Sequence, residues 1–276
     1  MTVSKNNVID PLSVMVYSYD WTHYVALTSL CQSIQSGCVI SNACDGAEFL
    51  NKAAASQPAL IILDLSPRNS VALILTLRRQ CPNTVFVVTQ AAFLFSDAMV
   101  AEYFKGMVLK RYDALLEMPP SLLFAEYQHL ACVLREEKSP TVLFQRYQQG
   151  LSAVLLAIKQ LMYSRFSQMM ASPRGQEVVL GWLVKGIDPI TVGRRLGCSS
   201  KVIYHYRLMA MKVLGIQRTR DFIASLEVTS GPTSAYLSPK LSGGDAYPVK
   251  TVSMRDRVGW ARLYPVVLPV KETLVS

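Results

Sequence analysis

Residues 59–65, ALIILDL, form an almost unbroken apolar run interrupted only by Asp64. So short and so apolar a run is expected of a central parallel strand, because helices cover both faces of a parallel sheet and leave no solvated side. Parallel neighbours are reached only through crossovers, so such a strand demands helices on either side of it in sequence. The flanking sequence supplies them. Runs at 14–17 (VMVY), 38–40 (CVI), 84–89 (TVFVVT) and 106–110 (GMVLK) predict four further strands. Between them, 21–34 carries Tyr24, Leu27, Leu30 and Ile34 at helical spacing and stops at Gly37. Residues 45–55 are Ala-rich and end before Pro58, and helices at 71–80 and 97–103 complete the alternation. Strand and helix repeating at roughly 25-residue intervals predict an α/β domain over residues 1–120, a doubly wound, flavodoxin-like parallel sheet.

In sheets of this kind function gathers outside the carboxyl ends of the strands. The sequence places Asp20, Asp64, Thr89 and Lys110 there. With those residues, and with PALIILDL, VFVVT and GMVLK as motifs, residues 14–119 resemble the receiver domain of bacterial response regulators. The resemblance implies Asp64 as phospho-acceptor, Thr89 and Lys110 as the residues that respond to the phosphoryl group, and Mg²⁺ bound near Asp20. A carboxylate attacks a phosphoryl donor only when a divalent cation and a lysine neutralise the crowded oxygens. Here Tyr19 precedes Asp20 where an adjacent acid is expected, and Pro67 shortens the segment after Asp64. A single acid holds Mg²⁺ poorly. Asp64 can be a phospho-acceptor, or merely the end of a strand at a solvated edge. The expectation carried forward is a degenerate receiver kept as an association module, with no cofactor, and Mg²⁺ only if the receiver is functional.

Residues 121–171 predict a helical connector. Leu122, Leu123, Tyr127, Leu130, Val133 and Leu134 give 121–137 an amphipathic face whose first part is expected to pack on the sheet. The Glu136–Pro140 stretch breaks the helix, and 142–170 resumes it with Leu151, Val154, Leu155, Ile158, Leu161, Met162 and Phe166, interrupted at most by Gly150. This helix either closes a domain core or pairs with a second copy.

Residues 172–227 read differently, as four short helices. Ser172-Pro173 and Asp188-Pro189 are cap-then-proline signals, opening helices at 173–184 and 189–196. Val178, Val179, Trp182 and Leu183 face inward on the first, and Gly186 stops it. Gly197-Cys198 is a turn, Ser199 or Ser200 caps a third helix running to Leu214, and a fourth spans 218–226 with Phe222, Ile223 and Leu226 inward. That is the sequence pattern of a helix-turn-helix. On the third helix Ile203, Tyr206, Ala210 and Val213 or Leu214 recur at core spacing. Lys201, Tyr204, His205, Leu208 and Lys212 then occupy the other face, suited to a major groove.

SPRGQEVVLGWLVKG, GRRLGCSSKVI and AMKVLGI make this block resemble the LuxR/FixJ-type helix-turn-helix, nearest to the Rcs phosphorelay group with its RcsB, RcsA and BglJ branches. The resemblance implies a two-domain transcription regulator. Tyr204, His205 and Leu208 inherit base contact, Lys201, Arg207 and Lys212 inherit phosphate contact, and Arg194 and Arg195 stand beside the turn where they can meet phosphate. It also implies double-stranded DNA as partner, and a homodimer or a heterodimer with an RcsB-type protein. The family's Arg-Glu pair becomes Arg174-Gly175 here. The rivals are an orthodox regulator phosphorylated at Asp64, and an interaction protein that modifies a partner without binding DNA.

Charge supports a polyanion partner, with generic solubility as the alternative. Net charge is +9, yet residues 1–171 hold 13 Lys/Arg against 12 Asp/Glu, while 172–227 hold 9 against 4 and 228–276 hold 6 against 3. The cysteines at 31, 38, 44, 81, 132 and 198 form no CxxC or zinc-ligand spacing, which predicts reduced thiols in a cytoplasmic protein. Cys198 and His205 stand seven apart in sequence with no oxyanion hole in prospect, so no enzyme is expected. No apolar window is long enough for a membrane span. Residues 228–276, rich in Gly, Ser and Pro and then basic, predict a disordered arm, a partner-binding segment or a reading-frame extension.

Overall fold

The computed structural model describes residues 13–34, 39–41, 45–117, 119, 126–127, 129–131 and 147–231. The chain divides into compact units of residues 1–238 and 239–276. The second unit, and with it the expectations for 232–276, lies outside the described residues, as do most of 118–146.

Five strands form a wholly parallel sheet in the order β2-β1-β3-β4-β5: β1 (Ser13–Ser18), β2 (Val39–Ser41), β3 (Leu60–Asp64), β4 (Val85–Gln90) and β5 (Met107–Arg111). This is the flavodoxin-like doubly wound order, with its switch point between β1 and β3. All five residues of β3 are buried, as a strand covered on both faces requires. The two-residue side-chain period sorts β1 between two cores. Val14 and Val16 pack with Leu60, Ile62, Val85 and Val87 under α1 (Trp21–Ile34). Met15 and Tyr17 pack with Ile61, Leu63, Phe86 and Val88 under α2 (Gly46–Ser56) and α3 (Val71–Gln80). Tyr127, Leu130 and Ala131 lie against the first core, where the connector's opening part was expected.

Two details differ from the sequence expectation. The helix α4 (Phe95–Tyr103) starts before Asp97, because the Asp97 side chain accepts from the Leu94 amide at 2.9 Å and so anchors the first turn. A short helix, α5 (Tyr112–Glu117), follows β5 without a loop, where no helix was expected.

The connecting helix α6 (Leu151–Met169) begins immediately after Gly150. Val154, Ile158, Met162 and Phe166 recur every fourth residue and are all fully buried. The first pair belongs to the core beneath the sheet, the second to the core of the C-terminal helices. One helical stripe therefore closes both cores. Met99 of α4 joins the second core as well. Hydrogen bonds reinforce the join: Ser96 Oγ and Arg68 Nη1 both donate to the Ala224 carbonyl, at 2.7 and 3.2 Å, and the Ala72 amide donates to Ser230 at 3.1 Å.

Candidate nucleic-acid interface and the Asp64 cluster

The C-terminal helices are α7 (Pro173–Gly181), α8 (Pro189–Arg195), α9 (Ser200–Val213) and α10 (Asp221–Ala224), with a 3-10 turn at Leu183–Lys185. Each of the first three is started by a side-chain cap. Ser172 Oγ accepts from the Gly175 amide at 3.1 Å, and Ser199 Oγ from the Lys201 amide at 3.2 Å. Asp188 Oδ1 accepts from the amides of Ile190 and Thr191 at 3.0 and 2.9 Å. Hydrogen bonding from the Thr191 side chain and then its amide holds the Asp188 carboxyl below its ordinary range. The expected first helix is shorter than 173–184, since its last turn tightens at Trp182 and Gly186 ends it with a left-handed φ of 77°.

The turn between α8 and α9 depends on close backbone approach. A Cβ on Gly193 would stand 2.8 Å from the Cys198 carbonyl oxygen and 3.1 Å from the Ser200 amide nitrogen, so only glycine lets the two helices meet there. Gly175 has a similar explanation. A Cβ at that position would collide with Met170 Cε and stand 2.9 Å from Tyr206 Cδ1, so the missing side chain is the space that Tyr206 of α9 and Met170 fill.

On α9 Ile203 and Ala210 are fully buried and Met211 nearly so, while Tyr206 and Leu214 are half-buried. The sequence reading had not placed Met211. Lys201, Tyr204, His205, Leu208 and Lys212 are all exposed, on the face opposite this core. Lys201, His205, Leu208 and Lys212 follow one line along the helix, with Tyr204 at its edge. Arg194 and Arg195 are exposed at the end of α8, and the Arg195 guanidinium lies 5.4 Å from the Trp182 ring centroid. Arg207 is half-buried, its guanidinium 4.9 Å from the Tyr204 ring centroid. The expected fourth helix shrinks to one turn. Phe222 and Leu226, four apart, share the inward side, which turns Ile223 outward to 37% exposure and corrects its expected burial.

At the sheet's switch point Asp64 is 8% exposed and its carboxylate is occupied by the chain's own side chains. Ser18, its register partner on β1, donates from Oγ to Oδ2 at 2.6 Å, and His23 Nδ1 lies 3.0 Å from the same oxygen. The Tyr112 hydroxyl donates to Oδ1. Asp20 does not join this cluster. Its Oδ1 caps α1, accepting from the Thr22 and His23 amides at 2.7 and 3.2 Å, and these hydrogen bonds, His23's first, hold its carboxyl below the usual range. Lys110 Nζ pairs with Glu126 at 2.6 Å, and Thr89 is buried with no hydrogen-bond partner for its hydroxyl among the described residues. Magnesium needs carboxylate oxygens turned outward at close to octahedral geometry. A carboxylate engaged by Ser18, His23 and Tyr112, with the neighbouring acid spent on a helix cap, does not fit that ion.

Sequence reasoning missed Ser18, His23 and Tyr112. Ser18 was recoverable from the β1–β3 register, but His23 and Tyr112 reach Asp64 from two helices distant in sequence. Among the described residues no group of three or more His, Cys, Asp or Glu is placed to hold a metal, and no helix is long and apolar enough to cross a membrane. Cys31 and Cys81 are buried, Cys198 is half-buried, and Cys38, Cys44 and Cys132 lie outside the described residues.

No protein-family model matches the chain. No curated protein matches it in sequence. Solved structures similar to this chain include response regulators. They include an RcsB–DNA complex (18% identity, 79% of this chain and 98% of that one, TM-score 0.47). RcsB from Salmonella enterica serovar Typhimurium, bound to a promoter in the presence of phosphomimetic BeF3⁻, is similar at 18% identity, over the same shares of the two chains, with a TM-score of 0.46. Full-length FixJ from B. japonicum is similar at 16% identity over 77% of this chain and 94% of that one, with a TM-score of 0.34.

Proposed function

We propose that the chain is a transcription regulator that binds duplex DNA by laying α9 in the major groove. The exposed stripe of α9 carries this reading: Lys201 and Lys212 stand at its ends, His205 and Leu208 between them, and Arg194 and Arg195 beside the turn. Cations at the rim meet phosphates and fix the helix's register, while the central side chains face base edges. The basic surplus of residues 172–227, 9 Lys/Arg against 4 Asp/Glu, supports the same assignment.

The sheet domain then serves association and not phosphoryl transfer. Supporting this are the Ser18, His23 and Tyr112 contacts that occupy Asp64 and the Lys110–Glu126 ion pair that engages the lysine. Regulation on this reading is phosphorylation-independent, needs no cofactor, takes place in the cytoplasm and involves no catalysis. One recognition helix covers a half-site, so the functional species is a homodimer or a heterodimer with an RcsB-type partner.

The test is selection of binding sites from random duplexes by the full chain, alone and with an RcsB-type partner. An enriched motif in either arm is expected, with half-sites about one helical turn apart. No enrichment in both arms would overturn the reading.

A further inference from the structure

The exposed face of α9 lacks most of the side chains that read bases through paired hydrogen bonds. Arginine or lysine on guanine, asparagine or glutamine on adenine, and a carboxylate on cytosine are the usual partners in the major groove. Among the exposed positions of the helix, Lys201, Val202, Tyr204, His205, Leu208 and Lys212, only the two lysines are of these types. Arg207 is half-buried and turned over the Tyr204 ring. Both lysines sit at the ends of the stripe, where the phosphate backbone passes.

What the face presents instead is apolar. Leu208 lies at its centre with 61% of its surface open, and Tyr204, one turn before it, flanks it at 39%. The second core does not need these atoms, since Ile203, Ala210 and Met211 fill the inward side. Among the four bases only thymine offers the major groove an apolar group, its C5-methyl. An aliphatic side chain against cytosine or guanine would instead strip water from a donor or acceptor and return nothing to it. The same leucine that favours thymine therefore also rejects a G·C pair at that step.

Resting on the DNA-binding reading above, we propose that Leu208, flanked by Tyr204 one turn before it, selects sites by contact with thymine methyl groups. His205 adds a single hydrogen bond beside them.

The test uses the full chain and the duplex of highest affinity obtained by selection, with each thymine replaced in turn by deoxyuridine, which removes only the methyl. Affinity is expected to fall about fourfold at each contacted thymine, the equivalent of one carbon buried from water. Leu208→Ala, at an exposed position, should keep the wild-type melting temperature. That variant should also lose the penalty for uracil. Selected sites indifferent to every uracil replacement would overturn methyl readout while leaving DNA binding intact. An uracil penalty that persists in Leu208→Ala would overturn the role of this residue. Absence of binding to any duplex would remove the DNA reading itself, and this inference with it.

Discussion

Lys110 Nζ lies 2.6 Å from Glu126 Oε2, so the lysine at the carboxyl end of β5 is committed to the connector and not to Asp64. The Tyr112 hydroxyl, two residues on, takes the place beside that aspartate. A phosphoryl group arriving at Asp64 would have to displace Ser18, His23 and Tyr112 and would find no lysine ready to neutralise it. Incubation with acetyl phosphate and Mg²⁺ should therefore leave the intact mass unchanged. A stoichiometric phosphoryl adduct lost in Asp64→Ala would contradict this. The same variant removes the acceptor shared by the half-buried Ser18, His23 and Tyr112 and should lose about 1 kcal/mol of stability in urea.

Phe166 and Ile158 stand two helical turns apart on α6, each fully buried, one in each core. Phe166→Ala should cost about 3–5 kcal/mol. Because α6 closes both cores, probes of the sheet and probes of the C-terminal helices should report one coincident unfolding transition in the wild type. Two separate transitions would show the cores to be independent.

Gly193 admits no side chain without moving the turn that presents α9. Gly193→Ala places a Cβ against the Cys198 carbonyl and should cost about 1–3 kcal/mol. DNA affinity should fall with it, since the displaced element is the recognition helix. Gly150, with nothing within 4 Å of its would-be Cβ, makes a control whose replacement by alanine spares the turn.

Asp188 caps α8 as a carboxylate, and hydrogen bonding depresses its pKa below the ordinary 3.8. A depressed folded-state pKa stabilises the fold above the unfolded value and loses that contribution as pH falls through the folded one. Asp188→Ala should thus melt lower than wild type at neutral pH. The gap should close as pH falls through the folded-state value, below 3.8, where the wild-type carboxyl becomes protonated in both states. A constant gap across that range would show that the cap acts without its charge.

The sheet was legible because its strands announce themselves: β3 by an apolar run, its neighbours by short β-rich segments between helical periods. The helix-turn-helix was legible from Ser172, Asp188 and Ser199, whose caps act within three residues and so leave a local trace. The Asp64 cluster was not legible. His23 lies 41 residues from Asp64 and Tyr112 lies 48, and only the β1–β3–β4–β5 register brings their helices to one strand end. The α5 helix escaped notice for a local reason: of its six residues only Leu115 is buried, too little to show a period.

The central claim is that α9 binds duplex DNA with its lysines on phosphates. The most direct measurement is the dependence of affinity on salt for the full chain on random duplex DNA, compared with Lys201→Ala and Lys212→Ala. Log affinity should fall linearly with log salt in the wild type, with each substitution reducing the slope by about 1. Binding that is absent, or a slope unchanged by both substitutions, would contradict the assignment of α9 to DNA.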